Sequence, residues 1–233
     1  MTGVGAPEVR DGTIVVYSDI ACPWATVAIA RLLRARTEFA LDEDVHLDHR
    51  SFLLEDVNSA PVAKRVVDAE LPVVQALEPE LGWTSWQGDP STWPVTAAPA
   101  NEAVHAAKRQ SLRAAEELDL ALRLALFRDS RCIALRHEIL DVASSCPSVD
   151  VEALGAALDD GSARATMMRD YREHRDAVRG SPHLFFADGY EVHNPGVELR
   201  WPDGPGTGSP VVERDDPEVY GDLVRRAVMG SKA

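Results

Sequence analysis

Thr13-Ile14-Val15-Val16-Tyr17-Ser18-Asp19-Ile20-Ala21-Cys22-Pro23-Trp24 is the stretch whose reading decides the fold. Thr13–Tyr17 is a short run rich in β-branched residues, the pattern of a buried central strand. Pro23 suits the first turn of a helix, where its missing N–H costs nothing. Beyond it Val27, Ala30 and Leu33, flanked by Ala28, Ile29 and Leu32, give a broad apolar face ending near Arg36. Val45–Phe52 alternates loosely through Val45, Leu47, His49 and Ser51 and reads as a second strand. Strand, helix, strand implies a right-handed parallel crossover.

Downstream the pattern breaks. Glu55–Ala100 holds six prolines and three tryptophans (Trp83, Trp86 and Trp93), and predicts short helices at Val62–Asp68 and Pro72–Leu81. A long helix is expected over Asn101–Phe127, with shorter ones at Glu138–Ser144, Val151–Leu158 (capped by Asp150) and Ser162–Val178. Strands return at His183–Ala187 and Tyr190–His193, joined by Asp188-Gly189, a strong hairpin signal. A Gly/Pro-rich loop, Pro202–Pro210, leads to a final helix capped by Asp216, begun by Pro217 and striped by Val219, Leu223, Val224, Ala227 and Val228. The whole predicts an α/β sheet interrupted by a helical insertion.

The 233 residues carry 24 Lys and Arg against 38 Asp and Glu, a net charge of −14. Such a surface repels polyphosphates and anionic lipid heads, so neither nucleic acid nor membrane is an expected partner. Met1–Gly12 lacks a basic region followed by an apolar stretch, and no apolar run approaches the roughly 20 residues that span a bilayer. A cytoplasmic chain with reduced thiols is the expectation. It has three cysteines, Cys22, Cys132 and Cys146, an odd number and sparse for a disulfide scaffold.

Cys22 stands where a strand ends and a helix begins. Unpaired N–H groups and the positive end of the helix dipole favour thiolate there, and so predict a lowered pKa and a nucleophile for a disulfide, a peroxide or an electrophilic carbon. The plain alternative is a small buried apolar residue. Ser181-Pro182, directly before an apolar strand, is either an ordinary trans entry or a cis bond, which costs X–Pro only about 0.5–1 kcal/mol. A cis bond would expose the Ser181 backbone beside the thiol, ready to pair with an extended substrate.

Thr13–Trp24 and Val178–Gly189 (VRGSPHLFFADG) together resemble the DsbA family, in particular its cytoplasmic FrnE-like branch. The resemblance implies a thioredoxin-like fold built from residues 1–54 and 179–233, with 55–178 as a large all-helical insertion. It implies that Cys22 is the nucleophilic thiol, that Pro182 is a cis-proline facing it, and that Pro23, Trp24, Ser181 and Pro182 contact substrate. Asp19 matches the acidic position upstream of the cysteine. One departure governs the function: the family's C-P-W-C is here Cys22-Pro23-Trp24-Ala25. A dithiol closes an internal disulfide and releases its substrate, which Cys22 alone cannot do. Monothiol chemistry remains, through a mixed disulfide or a sulfenic acid. The implied partner is a small thiol or a disulfide-containing substrate, with a low-molecular-weight thiol as co-substrate and no bound cofactor.

Other features carry two readings each. Cys132 and Cys146 are isolated structural thiols or resolving partners of Cys22. The tryptophans pack short helices or line a cleft over the thiol. His183 and His193 lie near the site or are solvated strand residues. His46, Asp48 and His49 do not make a metal site, because strand positions three apart point to opposite faces. No dinucleotide, P-loop or zinc-binding motif is present. Two further functions compete with a Cys22-dependent oxidoreductase. One is a kappa-class glutathione transferase or hydroxychromene-carboxylate isomerase, relatives of this fold that activate a cofactor thiol and carry Ser at the Cys22 position, with Ser18 or Ser181 assisting. The other is a binding module that kept the fold and lost turnover.

Overall fold

The computed structural model describes residues 5–204 and 206–229. The chain's first four residues, Pro205 in the Gly/Pro-rich loop and the tail after the last helix lie outside them. Strand β1 (Thr13–Ser18) runs into helix α1 (Pro23–Glu38) and then strand β2 (His46–Ser51). β1 and β2 pair in parallel, from Thr13 opposite His46 to Ser18 opposite Ser51. A four-stranded mixed sheet, order β2-β1-β3-β4, is completed by β3 (His183–Phe185) and β4 (Glu191–His193), both antiparallel to their neighbours. The β3–β4 turn places Gly189 at φ 82°, a left-handed conformation that costs glycine little.

Side chains alternate across β1 and so serve two cores. Ile14 and Val16, with Leu47 and Leu184, pack under α1 and the last helix, α9 (Val219–Met229), whose Tyr220, Leu223 and Val224 close that layer. Val15, Tyr17 and Phe185 face the other way, onto Tyr171 and Val178. Between β2 and β3 lie α2 (Leu54–Val57), α3 (Lys64–Leu77), α4 (Ala98–Lys108), α5 (Leu112–Phe127), α6 (Arg136–Ala143), α7 (Val151–Asp159) and α8 (Ser162–His174). Alanines let α4 and α5 approach closely: Ala100, Ala103 and Ala107 meet Ala114, Leu118 and Leu122 in one cluster that also takes in Ile20, Cys22, Trp24 and Val27. The inserted helices therefore share their core with the start of α1.

Four local expectations are corrected. The long helix over 101–127 is two, because Ser111, extended at φ −167°, restarts the chain as the cap of α5 and accepts the Ala114 N–H at 2.9 Å. The two helices expected on either side of Pro72 are one. Pro72 sits inside α3, whose buried face of Val67, Glu70, Leu71 and Val74 runs through it, so tertiary packing offsets the lost hydrogen bond. Pro202–Pro210 does not link a strand directly to the last helix: it tips a second hairpin, β5 (Val197–Arg200) with β6 (Val211–Asp215), whose largely exposed, charged strands lack the apolar pattern of β1. Finally, α9 begins at Val219, after a turn at Pro217–Glu218. No helix of the described residues is long and apolar enough to cross a membrane.

Candidate active site

The strand–helix junction is held from below by charge. Arg123 of α5, fully buried, donates to the Asp19 carbonyl at 2.8 Å, to Ser18 Oγ at 2.8 Å and to both Asp119 oxygens at 2.7 and 3.1 Å. Asp19 is itself fully buried. Its Oδ1 accepts the Ala21 N–H at 2.9 Å and Asn101 Nδ2 at 3.3 Å, while Oδ2 accepts the Leu54 N–H at 2.9 Å. Burial raises its pKa, and those donors work against the rise. Asp19 thus ties the end of β1 to α2 and α4, a positioning role with no direct hold on the thiol.

Cys22 is the N-cap of α1: its Sγ accepts the Ala25 N–H at 3.4 Å, and Pro23 occupies the first turn. Across from it, 159 positions away in the chain, the Ser181 carbonyl accepts the Cys22 S–H at 3.2 Å. The Ser181–Pro182 bond is cis, and Ser181 Oγ accepts the Asp19 N–H at 3.0 Å. Two distant motifs therefore meet at the sulfur. The Ser181 carbonyl, expected to await an extended substrate, is taken by the thiol in this state.

The lowered pKa expected from the helix dipole is corrected. Cys22 is only 5 % exposed, and burial, together with the charge of Glu70, pushes the thiol up to about 11 against the Ala25 N–H and Arg123. Desolvation of a thiolate outweighs one capping N–H and a dipole end. The thiol is not sealed, however. It forms part of the wall of a cavity of about 440 Å³, with Trp24, Val62, Glu70, Ser181 and Trp201 around it.

Glu70 was not singled out by sequence reasoning. On α3 it reads as one more polar residue of an amphipathic helix. In the fold it is buried, its Oε1 accepts the Trp24 indole N–H at 2.8 Å, and burial raises its pKa to about 7. Arg123, Asp119 and Asn101 were missed for the same reason. An i,i+4 Asp–Arg pair in the largely apolar C-terminal half of α5 was the one available signal.

The other candidates fall into place. Trp83 is core, its ring tilted against Phe127 and its indole N–H on the Glu78 carbonyl at 2.8 Å. Trp86 and Trp93 pack edge to face at 5.2 Å. None of the three lines the cavity, whereas Trp24 and Trp201 do. Ser18, held by Arg123, does not line it either. His183 is no solvated residue. It is fully buried on the Tyr17 and Phe185 face of the sheet, opposite the face that packs on α1, and its Nδ1 accepts the Arg179 N–H at 3.1 Å. Neither Cys132 nor Cys146 borders the cavity, and burial raises the Cys146 thiol to about 11.

Comparison with known proteins agrees with this geometry. The family described as DSBA-like thioredoxin domain matches residues 13–199. Among solved structures, a probable DsbA oxidoreductase from Streptomyces coelicolor is 23% identical, with a TM-score of 0.62 over 92% of this chain and 89% of that one. The cytosolic disulfide reductase DsbM from Pseudomonas aeruginosa is 19% identical, with a TM-score of 0.58 over 91% of this chain and 95% of its own, and has also been solved with GSH. A 2-hydroxychromene-2-carboxylate isomerase is 14% identical, with a TM-score of 0.55 over 77% and 87% of the two chains. No curated protein matches. The strand–Cys22–helix junction, the mixed sheet with its inserted helices and the family match across most of the chain lead to one conclusion: this chain belongs to the DSBA-like thioredoxin family.

Proposed function

We propose that the protein is a cytoplasmic, FrnE-like thiol oxidoreductase that exchanges disulfides through Cys22 alone. What supports this reading is one thiol on a cavity wall, hydrogen-bonded to the Ser181 carbonyl of the cis Ser181–Pro182 bond, with Ala25 where the second cysteine of a C-P-W-C motif would stand. Cys22 Sγ attacks a disulfide R–S–S–R′, forming Cys22–S–S–R and releasing R′–SH. A second thiol, R″–SH, then attacks the mixed disulfide, restoring Cys22–SH and leaving R–S–S–R″. The net exchange is R–S–S–R′ + R″–SH → R′–SH + R–S–S–R″, so the cycle needs a small thiol as co-substrate and no bound cofactor.

A low-molecular-weight thiol suits the cavity, whose volume lies in the range that takes small molecules. The structure of DsbM with GSH supports the same class. Pro23, Trp24, Ser181 and Pro182 form the substrate contacts, Asp19 holds the junction, and His183 steadies the approach to Pro182 from the far face of the sheet. Residues 1–54 and 179–233 supply the thiol and the proline, and the insertion, 55–178, supplies the cavity's outer wall.

The absent second cysteine gives the reading its test. Ala25→Cys places a thiol at the position whose N–H already touches Cys22 Sγ at 3.4 Å. The adduct formed with oxidised glutathione should then resolve internally, because a positioned neighbour outcompetes millimolar free thiol. Its lifetime, followed by intact mass, is expected to fall ~100-fold or more relative to the parent. An equally short-lived adduct in the parent would mean that another thiol of the chain already resolves Cys22.

A further inference from the structure

The exchange reading leaves one problem in this site. Cys22 is held as a thiol, its S–H donated to the Ser181 carbonyl, and a carbonyl cannot take the proton away. No histidine among the described residues lines the cavity, and His183 lies on the opposite face of the sheet, beside Tyr17 and Phe185. Within the cavity, Glu70 is the side chain that can hold and return a proton. It is fixed by the Trp24 indole N–H at 2.8 Å, and Trp24 is two residues from Cys22 on the same helix start.

Resting on the Cys22 exchange reading, we infer that Glu70 is the general base and acid of the reaction, taking the Cys22 proton as Sγ attacks and returning it to the departing thiolate. The proton balance closes within the site. Cys22–SH, Glu70–COO⁻ and R–S–S–R′ become Cys22–S–S–R, Glu70–COOH and R′–S⁻, and the carboxyl then protonates R′–S⁻ to R′–SH. The second exchange uses the same pair for the incoming R″–SH.

The surroundings of Glu70 suit this task. α1 presents Trp24 and the thiol, and α3 carries exposed Arg65 five residues earlier. On α1, Arg31 is engaged by Glu78 and by Asp215 of β6. Among the described residues no cation pairs with Glu70, so burial sets its proton affinity near neutrality, where a base can both accept and donate.

The test compares the full chain with Glu70→Gln, following the rate of Cys22–glutathione disulfide formation from oxidised glutathione across pH 5.5–9. Gln keeps an acceptor for the Trp24 indole. In the parent the rate should rise through about pH 7, where Glu70 ionises, and then level. Glu70→Gln should lose that inflection and react about 100-fold more slowly above it. Trp24→Phe removes the hydrogen bond that lowers the Glu70 pKa and should move the inflection to higher pH. A purely electrostatic role predicts the opposite sign. Removing the negative charge would ease ionisation of Cys22, so a Gln variant as fast as the parent or faster overturns the inference. A parent that forms no adduct at all overturns the exchange reading instead.

Discussion

Cys22→Ser is expected to lower disulfide exchange with oxidised glutathione by at least ~10³-fold while leaving the fold intact. A serine hydroxyl at this position is a poor nucleophile toward a disulfide, and no residue of the site would activate it as strongly as the reaction requires. The fold should survive because serine is among the best helix N-caps. It can accept the Ala25 N–H and donate to the Ser181 carbonyl, the two contacts Cys22 makes now. A loss of exchange with an unchanged thermal midpoint therefore isolates the sulfur. The same variant separates the competing functions. A transferase or isomerase that activates a bound thiol would keep its activity in Cys22→Ser with added thiol. A binding module would show no turnover in the parent, and undiminished peptide binding in Cys22→Ala.

Arg123→Leu should cost on the order of 3–5 kcal/mol of unfolding free energy, enough to threaten a fold whose whole stability is about 5–15 kcal/mol. Arg123 is completely buried, and so is its partner Asp119, which among the described residues has only His49 at 3.4 Å besides. Leucine would leave the Asp119 carboxylate in the core without its cation, would take from the Asp19 carbonyl one of its two donors (the Cys22 N–H remains), and would leave Ser18 Oγ without the Arg123 N–H. The double variant Arg123→Leu/Asp119→Leu should recover most of the loss, since replacing a buried pair by apolar residues is often neutral. Urea unfolding of both variants checks this. A single variant within about 1 kcal/mol of the parent would show that the pair does not hold the junction.

These two predictions differ in how far they could be read from the sequence. The thiol could, because its position follows from local chemistry: a β-branched run, then Cys22 and Pro23, then an apolar helical face. The Asp188-Gly189 hairpin and the proline ahead of it were legible for the same reason. Arg123, Asp119 and Glu70 were not. A charged residue on an amphipathic helix normally faces water, and only the packing of α5 and α3 against the β1–α1 junction turns these three inward. The raised pKa of Cys22 was hidden likewise. The dipole that favours a thiolate is a property of the helix end, whereas the desolvation that defeats it comes from burial in a core shared with α3, α4 and α5, and the charge of Glu70 on α3 adds to it. At Pro72 within α3 packing overrides proline's helix-breaking propensity, and at the start of α5 the Ser111 cap overrides helical periodicity.

The most direct measurement is intact mass and peptide mapping of the full chain, purified without reductant and then incubated with oxidised glutathione at neutral pH. One glutathione per chain, on Cys22 and released by dithiothreitol, is the predicted result. Adducts on Cys132 or Cys146 with Cys22 unmodified, or an unmodified chain, would contradict it.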